Sequence, residues 1–154
     1  MRKLLLLAVT VVACSKAETP PPDSTAAMAP APAPAILTAA DVAGTWNGVG
    51  MLETGDSVVS RWTAEEVSDS TGKLTIVGSK VAIPFSRKLD GDSMIVTSGP
   101  YTDPAMPKGP KVTFRSIGRL KDGKLMGTSA NMLAAKPDSV VARGRWEATR
   151  PPAK

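Results

Sequence analysis

The chain has 154 residues, with 19 Lys and Arg against 14 Asp and Glu for a formal charge of +5, one cysteine and no histidine. Without histidine there is no imidazole for a catalytic triad or a His-ligated metal site, and the commonest general base at neutral pH is missing. One cysteine excludes an internal disulfide, and so mild a basic excess gives little ground for a nucleic-acid role.

The N-terminus begins with Arg2-Lys3, continues as an apolar run from Leu4 to Ala13, and ends that run at Cys14. A basic pair, a short apolar stretch and small residues before a cut make the layout of an export signal. About ten residues at ~1.5 Å each fall well short of a ~30 Å hydrocarbon core, so a cleaved signal is expected over 1–13, not a membrane span. Val11-Val12-Ala13-Cys14 resembles the lipobox of bacterial lipoproteins, with valine where leucine is commonest. The resemblance implies cleavage before Cys14, diacylglycerol on its thiol and a fatty acyl chain such as palmitate on the new amino group. Two or more chains, at ~0.8 kcal/mol per buried methylene, anchor stably where one is marginal. Ser15 in place of aspartate implies, in that family, an outer-membrane address facing the periplasm. Removal of Arg2 and Lys3 lowers the side-chain charge from +5 to +3. With export, no nucleic-acid partner is expected.

Residues 14–37 hold Pro20, Pro21, Pro22, Pro30, Pro32 and Pro34 among alanine, serine and threonine, with no aromatic. Such a segment cannot bury enough surface to offset its ordering entropy, so a disordered tether is expected. The Ala-Pro alternation favours an extended spacer of ~3 Å per residue.

Residues 38–150 suffice for one core and are too few for two, with 151–154 as a tail. Thr38-Ala39-Ala40-Asp41 predicts a capped helical turn. Gly55-Asp56, Asp69 to Gly72, Gly78-Ser79, Asp90-Gly91-Asp92, Pro100 to Pro110, Asp122-Gly123 and Lys136-Pro137-Asp138 are turn signals. Between them, alternation and β-branched residues predict strands over 44–54, 57–67, 73–78, 80–88, 93–99, 111–121, 124–133 and 139–149. Short connections make sequential strands pair, and closure removes exposed edges. The expected fold is all-β, a single eight-stranded antiparallel up-and-down barrel.

Alternation also sorts faces, since a one-residue slip would bury arginines. Val112, Phe114, Ser116, Gly118 and Leu120 are expected to face inward, and so are Val140, Ala142, Gly144, Trp146 and Ala148. The first strand turns in Gly44, Trp46, Gly48, Gly50 and Leu52, and the fourth Val81, Ile83 and Phe85. Arg115, Arg119, Arg143 and Arg145 lie outward as a solvated face or a site for anionic headgroups or an acidic envelope polymer.

Gly44-Thr45-Trp46, at the start of the first strand after a helical turn, resembles the Gly-x-Trp signature of lipocalins and related calycin barrels. The resemblance rests on those three residues and on strand count and order. It implies that Trp46 plugs the closed end of the barrel beside an arginine from the last strand, with Arg143, Arg145 and Arg150 all eligible. The chain departs from that family in having no disulfide and no C-terminal helix.

Trp46, Trp62, Phe114 and Trp146 stand inside beside many glycines and alanines. Those small residues either leave room for an apolar ligand stacked on tryptophan, or let a filled barrel bend around its aromatics. Tyr101 and Met106, expected to be exposed in the long loop after residue 99, suit a lid over the mouth or a protein contact. Glu65 and Glu66 are adjacent on a strand and point to opposite faces, so they cannot share a site. Asp90-Gly91-Asp92-Ser93 lacks the further ligands of a calcium loop and reads as a hairpin turn. The expectation is a non-enzymatic, lipid-anchored envelope protein with no metal and no cofactor. It either binds a small apolar or amphiphilic ligand or contacts another envelope component with a filled barrel.

Overall fold

Alternating burial organises the chain into nine strands preceded by one helical turn, in a computed structural model that describes residues 36–152. The expected signal peptide, Cys14, nearly all of the tether and the last two residues lie outside the described residues. The elements are α1 (Ala39–Val42), β1 (Thr45–Leu52), β2 (Val58–Ser68), β3 (Thr71–Ile76), β4 (Ala82–Asp90), β5 (Ser93–Ser98), β6 (Tyr101–Thr102), β7 (Lys111–Lys121), β8 (Lys124–Leu133) and β9 (Lys136–Thr149). All pairings are antiparallel, β1 pairs with β9, and β5 pairs with β7. The expected eight-stranded antiparallel barrel is therefore present and closed, and its architecture is compatible with a lipocalin-like barrel.

Local chemistry explains most boundaries. The Thr38 amide donates to Asp41 Oδ2 at 2.9 Å and the Thr38 hydroxyl at 2.6 Å, which caps α1 as its sequence predicts. Asp122 and Gly123 both have positive φ, 51° and 75°, the backbone of a type I′ hairpin turn. That turn sets the long β7–β8 register from Lys121↔Lys124 to Val112↔Leu133.

Four expectations need correction. Lys136-Pro137-Asp138 is not a turn but the start of β9, where register shifts after Asn131 and Met132 absorb the irregular residues. Thr71 and Gly72 belong to β3, leaving Asp69-Ser70 as the turn. The fourth strand begins at Ala82, so Val81 lies outside it and is exposed. The long loop contains β6, which resumes the line of β5 along β7 one residue out of step, from Thr97↔Arg115 to Tyr101↔Val112. At that break the Phe114 amide donates to the Ser98 hydroxyl at 2.9 Å, so a side chain takes over from a backbone carbonyl.

The core is concentrated at one end, the closed end, where β1 begins and β9 ends. Val42, Trp46, Ile83, Leu125 and Ala148 are each 3 % exposed or less. At the other end the inward pattern continues with uneven cover: Val112, between Tyr101 and Leu133, is 2 % exposed. Leu52 and Val140 are exposed, and so is Ala142, although Ala142 pairs directly with the cavity-lining Asn131. Leu52 keeps the inward parity opposite Gly144, but the bulge in β9 sets Val140 opposite Met132, one residue out of step with the cavity-lining Asn131, so Val140, expected inward, lies on the outer face.

Candidate functional site

The closed end is built around Trp46. Its indole N–H donates to the Val42 carbonyl at 2.9 Å, tying the plug to the helical turn in front of it. Of the three eligible arginines it is Arg150, just beyond β9, that covers the ring, with its guanidinium carbon 4.5 Å from the ring centroid. Arg150 also donates to the carbonyls of Ala43 at 2.7 Å and Asp41 at 3.0 Å. A planar fork of donors stacked on an aromatic face is a task that lysine cannot perform. Arg143 is exposed on β9, and Arg145 donates to Gly55 O at 2.6 Å and Asp56 Oδ1 at 3.0 Å.

A second cationic group at this end was not foreseen as a site. Arg87 follows Ile83 and Phe85 on the inward parity of β4, and its side chain is 1 % exposed. It meets Glu66 Oε1 at 2.6 Å and also donates to the carbonyls of Asp69 and Val42. Glu66 shares the inner face of β2 with Trp62 and Ala64, while Glu65 points outward, as their adjacency requires. Burial pushes the Glu66 carboxyl above the usual carboxylate range, with the Arg87 charge opposing and Asp69 adding to the rise.

Beyond this plug lies a cavity of about 640 Å³, open at the far end of the barrel. Its inner part is aliphatic, with Val42, Ile83, Met94, Val96 and Leu125, and its wall is aromatic, with Trp62, Trp146, Phe114 and Tyr101. Trp62 and Trp146 meet edge to face with centroids 6.0 Å apart, and Tyr101 and Phe114 do so at 6.2 Å. Ser60, Ser116, Ser129 and Asn131 supply neutral polar positions, and Arg61, Glu66 and Asp103 charged ones. All five aromatic residues named from the sequence border this space.

The small residues serve differently from either expectation. A Cβ on Gly48 would lie 2.2 Å from the Trp62 ring, and one on Gly118 would lie 2.5 Å from Trp146. Each glycine is the seat of an indole from another strand, Trp62 from the adjacent β2 and Trp146 from β9, reaching across Gly127 of β8. The seats bring the rings flat against the wall, and the space left over is the cavity.

Tyr101 is half-buried against Phe114, not exposed as expected, while Met106 stays exposed in the loop. Burial, with Asp103 nearby, pushes the Tyr101 hydroxyl up to about 12. Its neutral form therefore stabilises the fold fully below the ordinary value of about 10, and that contribution is lost as pH rises through the higher value. Tyr101 is the only tyrosine in the chain, so an ultraviolet titration reads it alone. The midpoint is expected near 12 in the native protein and near 10 in urea. A native midpoint at the unfolded value would place Tyr101 in water.

The outward arginines do not act as one patch. Arg119 pairs with Asp92 Oδ2 at 2.9 Å and Arg145 with Asp56 at 3.0 Å. Arg115 and Arg143 share one row across β8 through Ala130, about 10 Å apart at ~4.8 Å per strand. Asp92 also accepts from the Ser93 hydroxyl at 2.7 Å, and these two partners hold its carboxyl below the usual range. The Asp90–Ser93 segment is the β4–β5 hairpin turn. No group of three or more potential metal ligands occurs among the described residues. No protein-family model and no curated protein matches this chain.

Proposed function

We propose that this protein is a non-enzymatic, lipid-anchored envelope protein whose barrel binds a small apolar or amphiphilic molecule. The observation that carries the reading is the open cavity of about 640 Å³, within the ~300–1,000 Å³ of small-molecule sites and lined mainly by aliphatic and aromatic side chains. An apolar tail fits against Ile83, Met94 and Val96, with the aromatic pairs gripping its middle. Ser129, Asn131 and the Tyr101 hydroxyl offer hydrogen bonds to a more polar head nearer the mouth. The absence of histidine from the whole sequence favours binding over catalysis. The anchor rests on the lipobox resemblance at Cys14, and the outer membrane is its proposed location.

Mass spectrometry of the protein purified from a bacterial envelope reads both parts of the proposal. Under denaturing conditions, the chain is expected to begin at Cys14 and to carry the added mass of acyl chains. Under native conditions, it is expected to retain a further lipid-sized adduct that Ser129→Trp, which fills the cavity, removes. An unacylated chain would overturn the anchor. A native chain without adduct, or an adduct indifferent to Ser129→Trp, would overturn the cavity reading.

A further inference from the structure

Eleven large apolar residues are exposed among the described residues, and eight of them lie at the open end of the barrel. Leu52, Val58 and Val59 flank the β1–β2 turn, and Val77 and Val81 flank the β3–β4 turn. Met106 sits in the loop before β7, and Val140 and Val141 lie on the first half of β9. These four places surround the cavity mouth as a collar. Single exposed apolar residues are ordinary, but a collection on one rim marks a contact surface.

The charges at this rim indicate what the collar meets. Lys80, Lys108, Lys111, Lys136 and Arg143 stand between the apolar groups, against Glu53, Asp103 and Asp138. Arg145 and Asp56 neutralise each other there. Long cationic side chains beside aliphatic ones suit the boundary between headgroups and acyl chains, where the stem stays apolar and the ammonium reaches phosphate. A dry protein interface would instead leave those lysines to be desolvated at a cost.

We propose that the open rim of the barrel docks onto an anionic lipid surface, with the collar valines entering the headgroup boundary and the rim lysines on phosphates. The surface is separate from the lipid on Cys14, and it stands whether or not the cavity holds a ligand. If the cavity does bind an amphiphile, docking lets that molecule pass between bilayer and barrel without crossing water.

The test uses the full chain carrying Cys14→Ala, so that an acyl anchor does not decide the result. Single cysteines replace Val59 or Val141 at the rim, or Asp122 at the closed end, and carry a polarity-sensitive dye. On vesicles of phosphatidylcholine mixed with phosphatidylglycerol, blue shifts are expected at residues 59 and 141 and none at residue 122. Binding is expected to be roughly tenfold tighter than to phosphatidylcholine alone. Val59→Ser with Val141→Ser, both exposed and so tolerable to the fold, is expected to weaken it roughly tenfold. Equal shifts at both ends, or binding indifferent to the serine pair, would overturn the proposal. So would dimerisation through the rim with no vesicle binding, which would make the occupant a second copy of the chain.

Discussion

Trp46→Ala is expected to cost about 3–5 kcal/mol of folding stability, the range for emptying a buried aromatic site. The ring is 3 % exposed, and it is held from three directions by Val42, the core and Arg150. Truncation leaves the Val42 carbonyl without its closest donor and opens the closed end of the barrel. It also removes the face on which Arg150 lies, so α1 and the chain after β9 lose their common support. A small domain has only about 5–15 kcal/mol in total, so the loss should be plain in a urea titration as a lower midpoint. Trp62→Ala is expected to cost less, because that ring already borders open space. A change below about 1 kcal/mol at Trp46 would mean that the closed end does not depend on its plug.

Glu66→Ala is expected to be nearly as damaging, at about 3–5 kcal/mol, because it strands a buried guanidinium. Arg87 is almost fully enclosed, its Nε has no hydrogen-bond partner among the described residues, and the Glu66 carboxylate is the group it forms an ion pair with. The pair is nevertheless costly. Desolvation is the larger influence on Glu66 and the Arg87 charge the smaller, which holds its carboxyl above the usual range. Replacing both members, Glu66→Leu with Arg87→Met, is therefore expected to restore stability close to that of the parent. The pH dependence provides a second readout. A raised carboxyl contributes stability that is complete below the ordinary value of about 4.3 and is lost as pH rises through the higher one. The double variant lacks that dependence, so the parent should gain on it as the solution is acidified. If the double variant is as unstable as Glu66→Ala, the two residues are not acting as a pair.

Strand positions could be read from the sequence because each depends on neighbours one or two residues away. Alternation from Val112 to Leu120 marks one face of β7, and Asp122-Gly123 marks its end, so both boundaries of β7 and β8 match expectation. The capping pair Thr38 and Asp41 is equally local. Glu66 has the parity of Trp62 and Arg87 that of Phe85, so the alternation carries both inward, a step the sequence reading stops short of. Their charges argued for solvent, and charge is a poor guide to burial where an opposite charge shares the interior. β6 was missed because Gly99-Pro100 interrupts the pattern, and a hydroxyl from Ser98 repairs the ladder.

Composition and period were enough to determine an all-β barrel, most of its inward and outward faces and the absence of imidazole chemistry, because each is a property of short stretches of chain. Closure decided the rest. It brought Arg150 onto Trp46 from 104 positions along the chain and left Arg143 and Arg145 elsewhere. It set the indoles of Trp62 and Trp146 over glycines of other strands, so that small residues became seats and a cavity survived beside them. It also gathered the exposed apolar residues of four separate segments onto one rim. No local pattern encodes which residues of distant strands share a row, since that depends on the register with which the sheet meets itself.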